Sequence, residues 1–335
     1  MSLTLKDRTT RSMPEPAGSR QRHPADRLFQ AAVHAAAWLP IAILGATVVF
    51  LLVQAWPALT HYGPFSSLGS IGWAPSRAIT ESTSPNPYGL LQFIYGSVLT
   101  ALIAMAIAVP ASIAVALYLT DVAPRVIRRP LAHLVDLLAA IPSVVYGFWA
   151  IFALAPTLRP LGEMLGRTLG AVPALGAVFA GPFYGYSYLT AGIVLAIMVL
   201  PIITAICREV FATTPVPRKE AALALGATRW EMLRMAVLPP ARAGIIGACT
   251  LGLGRAVGET IAVTMVIGNN VTGINPSLLA PGATMPSVLA NELTEATQPF
   301  HLESLFVVAL WLLALALAVN VAGRLLVRRG HREPR

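Results

Sequence analysis

Six stretches of roughly twenty apolar residues, at 35–53, 96–119, 137–156, 188–207, 243–268 and 305–323, leave this chain little choice of fold. Each can cross the roughly 30 Å hydrocarbon core of a bilayer as a helix rising about 1.5 Å per residue. Hydrophobic residues make up 56% of the chain and charged residues 12%, against about 25% charged in soluble domains. The short alternating strands of a membrane barrel are absent. Pro40, Pro110, Pro142 and Pro201 fall inside the windows, where membrane helices tolerate them if neighbours satisfy the freed carbonyls. The expected fold class is all-α integral membrane, with six transmembrane helices.

Lys and Arg placement sets the expected orientation. With six spans, the N-terminal segment, the 120–136 loop, the 208–242 loop and the C-terminal segment share one side, and they hold twenty of the 24 Lys and Arg residues. The opposite loops hold Arg77, Arg159 and Arg167, and the stretch 269–304 has none. Both termini are therefore expected in the cytoplasm. The same asymmetry accounts for the net charge of +9, so no nucleic-acid partner is expected and the basic residues face lipid head groups. Cys207 and Cys249 lack a C-x-x-C neighbour or a nearby His, so they read as packing residues. Neither metal ligands nor a catalytic constellation are recognised.

The only lysines, Lys6 and Lys219, do not follow glycine, so the chain has no phosphate-cradling G-x-x-x-x-G-K-[ST] loop. If ATP drives this protein, another polypeptide binds it. The 208–242 loop carries the most local information. Arg218–Leu225 is built of strong helix formers after Pro217. Gly226 suits the left-handed position that ends a helix, and Thr228 with Glu231 forms a capping box that starts another. Pro239 and Pro240 punctuate the entry to the fifth span. Two short helices with a glycine elbow are expected, carrying an apolar face that wants a partner groove.

Glu220, Ala221, Ala222, Gly226, Leu238 and Pro239 have the spacing of the EAA loop of ABC importer permeases, with Ala236 where that family usually has isoleucine. The run from Gly254 through Arg255, Gly258, Glu259 and Thr260 to Asn269 resembles the signature of C-type permease subunits of phosphate-specific transport (Pst) systems. So do Ala140–Gly147, Lys219–Thr228 and Leu278–Thr284. The resemblance spans roughly residues 30–327. It implies a type I importer permease fold, with a tail over 1–30 that reads as disordered, a permease domain over 31–327, a coupling loop over 212–240 and a C-terminal tail over 328–335. It also implies three kinds of partner besides membrane lipid: an A-type permease in a heterodimer, two ATPase subunits, and an extracytoplasmic phosphate-binding protein. No cofactor is expected on this chain, ATP and Mg residing on the ATPase, and the chain is not itself an enzyme.

Arg255 and Glu259 are the only charges within any of the six windows. A charge near the bilayer centre costs roughly 2.5–3.5 kcal/mol on insertion scales, so it must face protein, a partner charge or a polar path. Read as one helix, Ala248, Gly252, Arg255, Glu259 and Ala262 form a stripe, with Arg255 and Glu259 paired at i,i+4. Gly254 and Gly258 add a small-xxx-small pair, and Thr260 follows. Two readings stand: Arg255 and Glu259 border an anion path, the guanidinium fork suiting phosphate, or they are a buried ion pair that holds packing. Three rival functions share parts of this pattern: a permease for another oxyanion or small solute, a secondary transporter or channel, and a polytopic membrane enzyme. Asp136 is expected to pair with Arg128 or Arg129, and the apolar segment 171–182 to be re-entrant or to pack against a partner. Trp38, Trp56, Trp73, Tyr184, Tyr186 and Tyr188 are expected at the interfaces or packed in external loops.

Overall fold

The computed structural model describes residues 24–74, 88–173 and 176–330. The chain forms two units, residues 1–50 and 51–335. Helix α1, Pro24–Tyr62, begins in the first, with proline in its first turn and Asp26 against its positive end. Of the tail expected over 1–30, residues 1–23 lie outside the described residues, and the remainder is already helical. Among the described residues, six helices are long and apolar enough to cross a membrane: Leu28–Tyr62, Leu91–Val122, Ser143–Thr168, Tyr188–Ala212, Arg229–Gly258 and Pro299–Arg328. All six expected spans are present. The third and fifth differ in ways that shape the functional site.

The second unit is centred on α8, Tyr188–Ala212, whose buried side includes Val194, Val199, Ile203 and Phe211. It packs on α3, Leu91–Leu117, through small residues: Ala101, Ala104 and Ala108 on α3 and Ala191 and Ala196 on α8 are fully or almost fully buried. Small residues let backbones approach closely where lipid supplies no hydrophobic drive. Near Pro201, the Ser112 hydroxyl donates to the Leu200 carbonyl at 3.0 Å, an interhelical bond from α3. After a four-residue helix α2, Ser66–Gly69, and beyond α3 comes a π turn at Tyr118–Val122.

The third span starts at Ser143, not near 137. Residues Arg125–Ala140 form a separate amphipathic helix, α4. Pro142 is the physical reason, because its ring pushes Ile141 out of the helical region, to ψ 128°. The span proper is α5 (Ser143–Trp149), a π turn and α6 (Ala155–Thr168). Asp136 on α4 pairs with Arg208 of α8 at 3.3 Å, not with Arg128 or Arg129. Eight residues of helix separate Asp136 from Arg128, about 12 Å along the axis, whereas α4 packs directly on α8.

The 171–182 segment does not span. It holds a four-residue helix, α7 (Gly176–Phe179), whose Val178 carbonyl accepts from the Leu278 amide at 2.8 Å. At the same end of the bundle Trp73 is buried among Tyr88 and Phe93, with ring centroids 5.2 and 5.3 Å away. Its indole N–H donates to Glu292, which also meets His301 at 2.8 Å. Trp73 and Tyr188 are thus packing residues, while Trp38, Trp56 and Tyr184 are exposed.

The opposite, arginine-rich end holds α9, Val216–Ala224, whose Lys219 ammonium meets Asp121 in the π turn after α3. The Lys219 and Asp121 side chains are only 16% and 8% exposed, so this pair ties the α9 hook to the bundle. The remaining elements are α10 (Arg229–Met232), α11 (Leu238–Gly258), α12 (Ile261–Val266), α13 (Met285–Glu292) and α14 (Pro299–Gly330).

Two consequences follow for stability. Gly282 lies against the Tyr188 ring, and a Cβ at 282 would overlap it. Gly282→Ala is expected to cost about 1–3 kcal/mol by overpacking, and Tyr188→Leu in the same chain to restore part of that loss, both read as thermal unfolding in detergent. Asp121→Asn leaves the Lys219 charge without its partner, an expected loss of about 3 kcal/mol in local stability. It is measured as faster proteolysis after Arg218. The apolar pair Asp121→Leu with Lys219→Met should recover protection.

Candidate functional site

The site is built on two local features of one continuous piece of chain, a capped hook and a broken helix. In the hook, α9 ends in a Schellman arrangement. The Ala227 amide donates to the Ala222 carbonyl at 3.2 Å and the Gly226 amide to the Leu223 carbonyl at 3.0 Å. Gly226 has φ +85°, a region where a side chain costs roughly 1–2 kcal/mol. The Thr228 hydroxyl then accepts from the Glu231 amide while the Glu231 carboxylate accepts from the Thr228 amide at 2.8 Å, completing the capping box.

The second short helix expected here is not separate. From Arg229 the chain runs through α10, a π turn at Leu233–Val237 and α11 without leaving helical geometry. Pro239 and Pro240 therefore do not interrupt the entry to the span. Neither can donate a backbone bond and their rings crowd the preceding turn. The wider π turn absorbs this, with the Leu238 amide reaching back to the Leu233 carbonyl.

Ala221, Ala222 and Gly226 come together to line a cleft of about 560 Å³ with Arg218, Leu225 and Met235. Leu225 is 90% exposed. Glu220 lies exposed beside this cleft, while Leu238 and Pro239 are the first residues of α11. Ala236, the departure from the usual pattern, is buried and forms part of the cleft wall.

The fifth span is not one helix to residue 268. Gly258 is the last residue of α11, and Glu259 takes an extended conformation, φ −71° and ψ 126°. The helix resumes as α12 at Ile261. The i,i+4 pairing of Arg255 with Glu259 is thereby lost, because the two no longer share a helix. Among the described residues no carboxylate lies within ion-pair distance of Arg255. The single stripe is lost with it: Ala248 and Gly252 are buried against α8, Ala262 is buried, Glu259 is half-buried and Arg255 is exposed.

Arg255 sits in the last turn of α11, where the carbonyl end of the helix dipole favours a cation. A Cβ at Gly252 would meet Val199 and Ile203 at 2.8 Å, so Arg255, one turn on, lies near the middle of α8. Tyr146 lies within electrostatic reach of Arg255 and donates its hydroxyl to the Leu138 carbonyl at 2.8 Å. Gly258 has open space where a side chain would be, and Gly254 faces Asn320 of α14. The Thr260 hydroxyl donates to the Gly258 carbonyl at 3.3 Å, and its own carbonyl accepts from the Thr264 hydroxyl at 2.7 Å.

The break is held from two sides by segments distant in sequence. Gly147 of α5 lies so close to α12 that an added Cβ would be 3.3 Å from Ala262 Cα. On the other side, the Gly282 amide donates to the Ile267 carbonyl and the Asn270 amide to the Gly282 carbonyl, each at 3.0 Å. Between these bonds, Asn269 has φ +50° and its amide group donates to the Thr264 carbonyl. The stretches 140–147, 254–269 and 278–284 thus converge. Tyr146 and Asn269 fall inside two of these stretches, whereas Asn320 lies outside all three and carries no local signal of its place beside Gly254.

The family of binding-protein-dependent transport system inner membrane components matches residues 108–332. The phosphate transport system permease protein PstC of Mesorhizobium japonicum is 43% identical over 305 residues, covering 91% of this chain and 90% of that one. PstC of Xylella fastidiosa is 47% identical over 249 residues, covering 74% and 76%. PstC 2 of Mycobacterium tuberculosis is 38% identical over 301 residues, covering 89% and 90%. A chain in the crystal structure of a bacterial ABC transporter involved in the import of the acidic polysaccharide alginate superposes with a TM-score of 0.51. It covers 90% of this chain and 99% of that one, and at 15% identity the likeness is one of fold. This chain belongs to the binding-protein-dependent transport system inner membrane components, multi-pass proteins of the inner membrane, and among them to the PstC permeases.

Proposed function

We propose that this chain is the permease subunit that carries inorganic phosphate inward through an ATP-driven importer, by alternating access. Arg255 supplies the charge that draws the anion to membrane depth. Glu259, Thr260, Gly254 and Gly258 border the same path. The observation that carries the reading is the broken helix. With no water in the hydrocarbon core, non-helical backbone at that depth persists only where protein covers it or a polar cavity adjoins it. In transporters, discontinuous helices place their polar ends at the binding site near the midplane. Here the break follows an exposed guanidinium that has no carboxylate within ion-pair distance among the described residues. An arginine fork binds phosphate bidentately. The carbonyl end of α11 and the nearby Glu259 temper that attraction, so that the ion can leave.

Energy enters at the hook. The hook around Ala221, Ala222 and Gly226, with Leu225 projecting, docks into a groove of a separate ATPase subunit that holds ATP and Mg. The full assembly pairs this chain with an A-type permease, two ATPase subunits and an extracytoplasmic phosphate-binding protein. The arginine-rich end and both termini face the cytoplasm, a placement the Lys and Arg distribution supports.

Two variants test these roles in proteoliposomes holding the assembled importer. Arg255→Gln is expected to reduce labelled phosphate uptake by about 10–100-fold, the worth of a charged hydrogen bond of roughly 1.5–3 kcal/mol, with assembly intact. Wild-type uptake would remove Arg255 from the path. Gly226→Val strains the left-handed turn that shapes the hook. The ATP hydrolysed per phosphate moved should rise several-fold without loss of membrane insertion, and unchanged coupling would count against docking at this hook.

A further inference from the structure

We propose that the chain binds one anionic phospholipid in a lateral groove between α8, α11 and α14. The groove has a volume of about 530 Å³. Ile206 and Val210 of α8 form one wall and Val327 of α14 part of the other. Its floor is the strip of α11 that runs from Gly244 to Leu251, about 10 Å at 1.5 Å per residue. Two features keep this strip low. Gly244 lies tight against Val210, and Gly247 opens onto space that a Cβ would enter without touching anything within 4 Å.

The groove is largely apolar, with Thr250 and Asn320 its uncharged polar lining residues, and basic at its rim. Arg324 and Arg328 both line it, four residues apart on one face of α14, and both are exposed. Neither takes part in an ion pair among the described residues, and no carboxylate lines the groove. Their level follows from the antiparallel register of α11 and α14, in which Gly254 faces Asn320 and Thr250 faces Gly323. Arg324 and Arg328 therefore lie toward the beginning of α11, at the arginine-rich end of the bundle, where a lipid head group would sit.

This arrangement selects an amphiphile. Free phosphate could meet the two guanidiniums, but the Thr250 hydroxyl and the Asn320 amide group already donate to the Ile246 and Ala316 carbonyls, and the largely apolar floor would strip its water at a cost. An apolar helix could cover the floor but would leave two cations without a counter-charge. An anionic phospholipid satisfies both parts. Its phosphate bridges Arg324 and Arg328, two forks suited to a phosphodiester, and one acyl chain lies over Gly247 and Leu251.

The test uses the full chain in its assembled importer, delipidated in detergent, titrated with phosphatidylglycerol and observed by native mass spectrometry. One phosphatidylglycerol should be retained in preference to phosphatidylcholine, and millimolar inorganic phosphate should not displace it. The double variant Arg324→Gln, Arg328→Gln should weaken retention at least tenfold. Gly247→Leu, which fills the floor without altering charge, should do the same. Equal retention of the two lipids, displacement by inorganic phosphate, or unchanged retention in Gly247→Leu would each overturn the proposal. So would an assembly that retains no phosphatidylglycerol because another helix occupies the groove.

Discussion

The interruption of the fifth span between Gly258 and Ile261 is the constraint around which the second unit is arranged. A helix that ends at the depth of the middle of α8 leaves carbonyls that water would satisfy in a soluble protein and lipid cannot. The chain answers locally and at long range. The Thr260 hydroxyl takes the Gly258 carbonyl, and the Thr264 hydroxyl takes the Thr260 carbonyl. The 278–284 segment hydrogen-bonds the chain at the C-terminal end of α12, and α5 packs against α12 through Gly147. Arg255 then occupies the one helical position where a cation at this depth gains from the helix itself, the last turn of α11.

The hook and the break are two ends of one helical piece. From Arg229 to Arg255 the chain stays helical through the π turn, a distance of about 39 Å at 1.5 Å per residue. The hook that precedes it is over-determined: a Schellman turn closes α9, a capping box opens α10, and Lys219 ties the hook to Asp121 on a different span. This is a mechanically continuous link between the face that would meet an ATPase and the residue that would meet the anion. Its π turn also answers a chemical problem, since Pro239 and Pro240 would otherwise break the helix at its base.

The hook was legible because its signals are local. Gly226 marks a left-handed residue, Thr228 and Glu231 stand at capping-box spacing, and the structure has both. The errors share a cause as well. The end of α11 was invisible because Gly258, Glu259 and Thr260 stand among residues as apolar on one side as on the other, so periodicity ran through them. The start of the third span differs from its apolar window because Leu137–Ala140 is apolar enough to extend that window, although Pro142 fixes the boundary sterically. Asp136 found Arg208 instead of its sequence neighbours because helix–helix packing brings distant residues within reach that one helix keeps apart.

By itself, then, the sequence determined that the chain crosses a membrane on six helices and that one end carries most of the positive charge. It also determined that a capped hook precedes the fifth span. These properties depend on length, composition and residues within a turn or two of each other. Only the tertiary structure decided where that span breaks, which three distant stretches meet at the break, and which acids Lys219 and Arg208 find. Those outcomes turn on contacts between segments separated by tens to hundreds of residues, and no local pattern encodes the distance across which two helices meet.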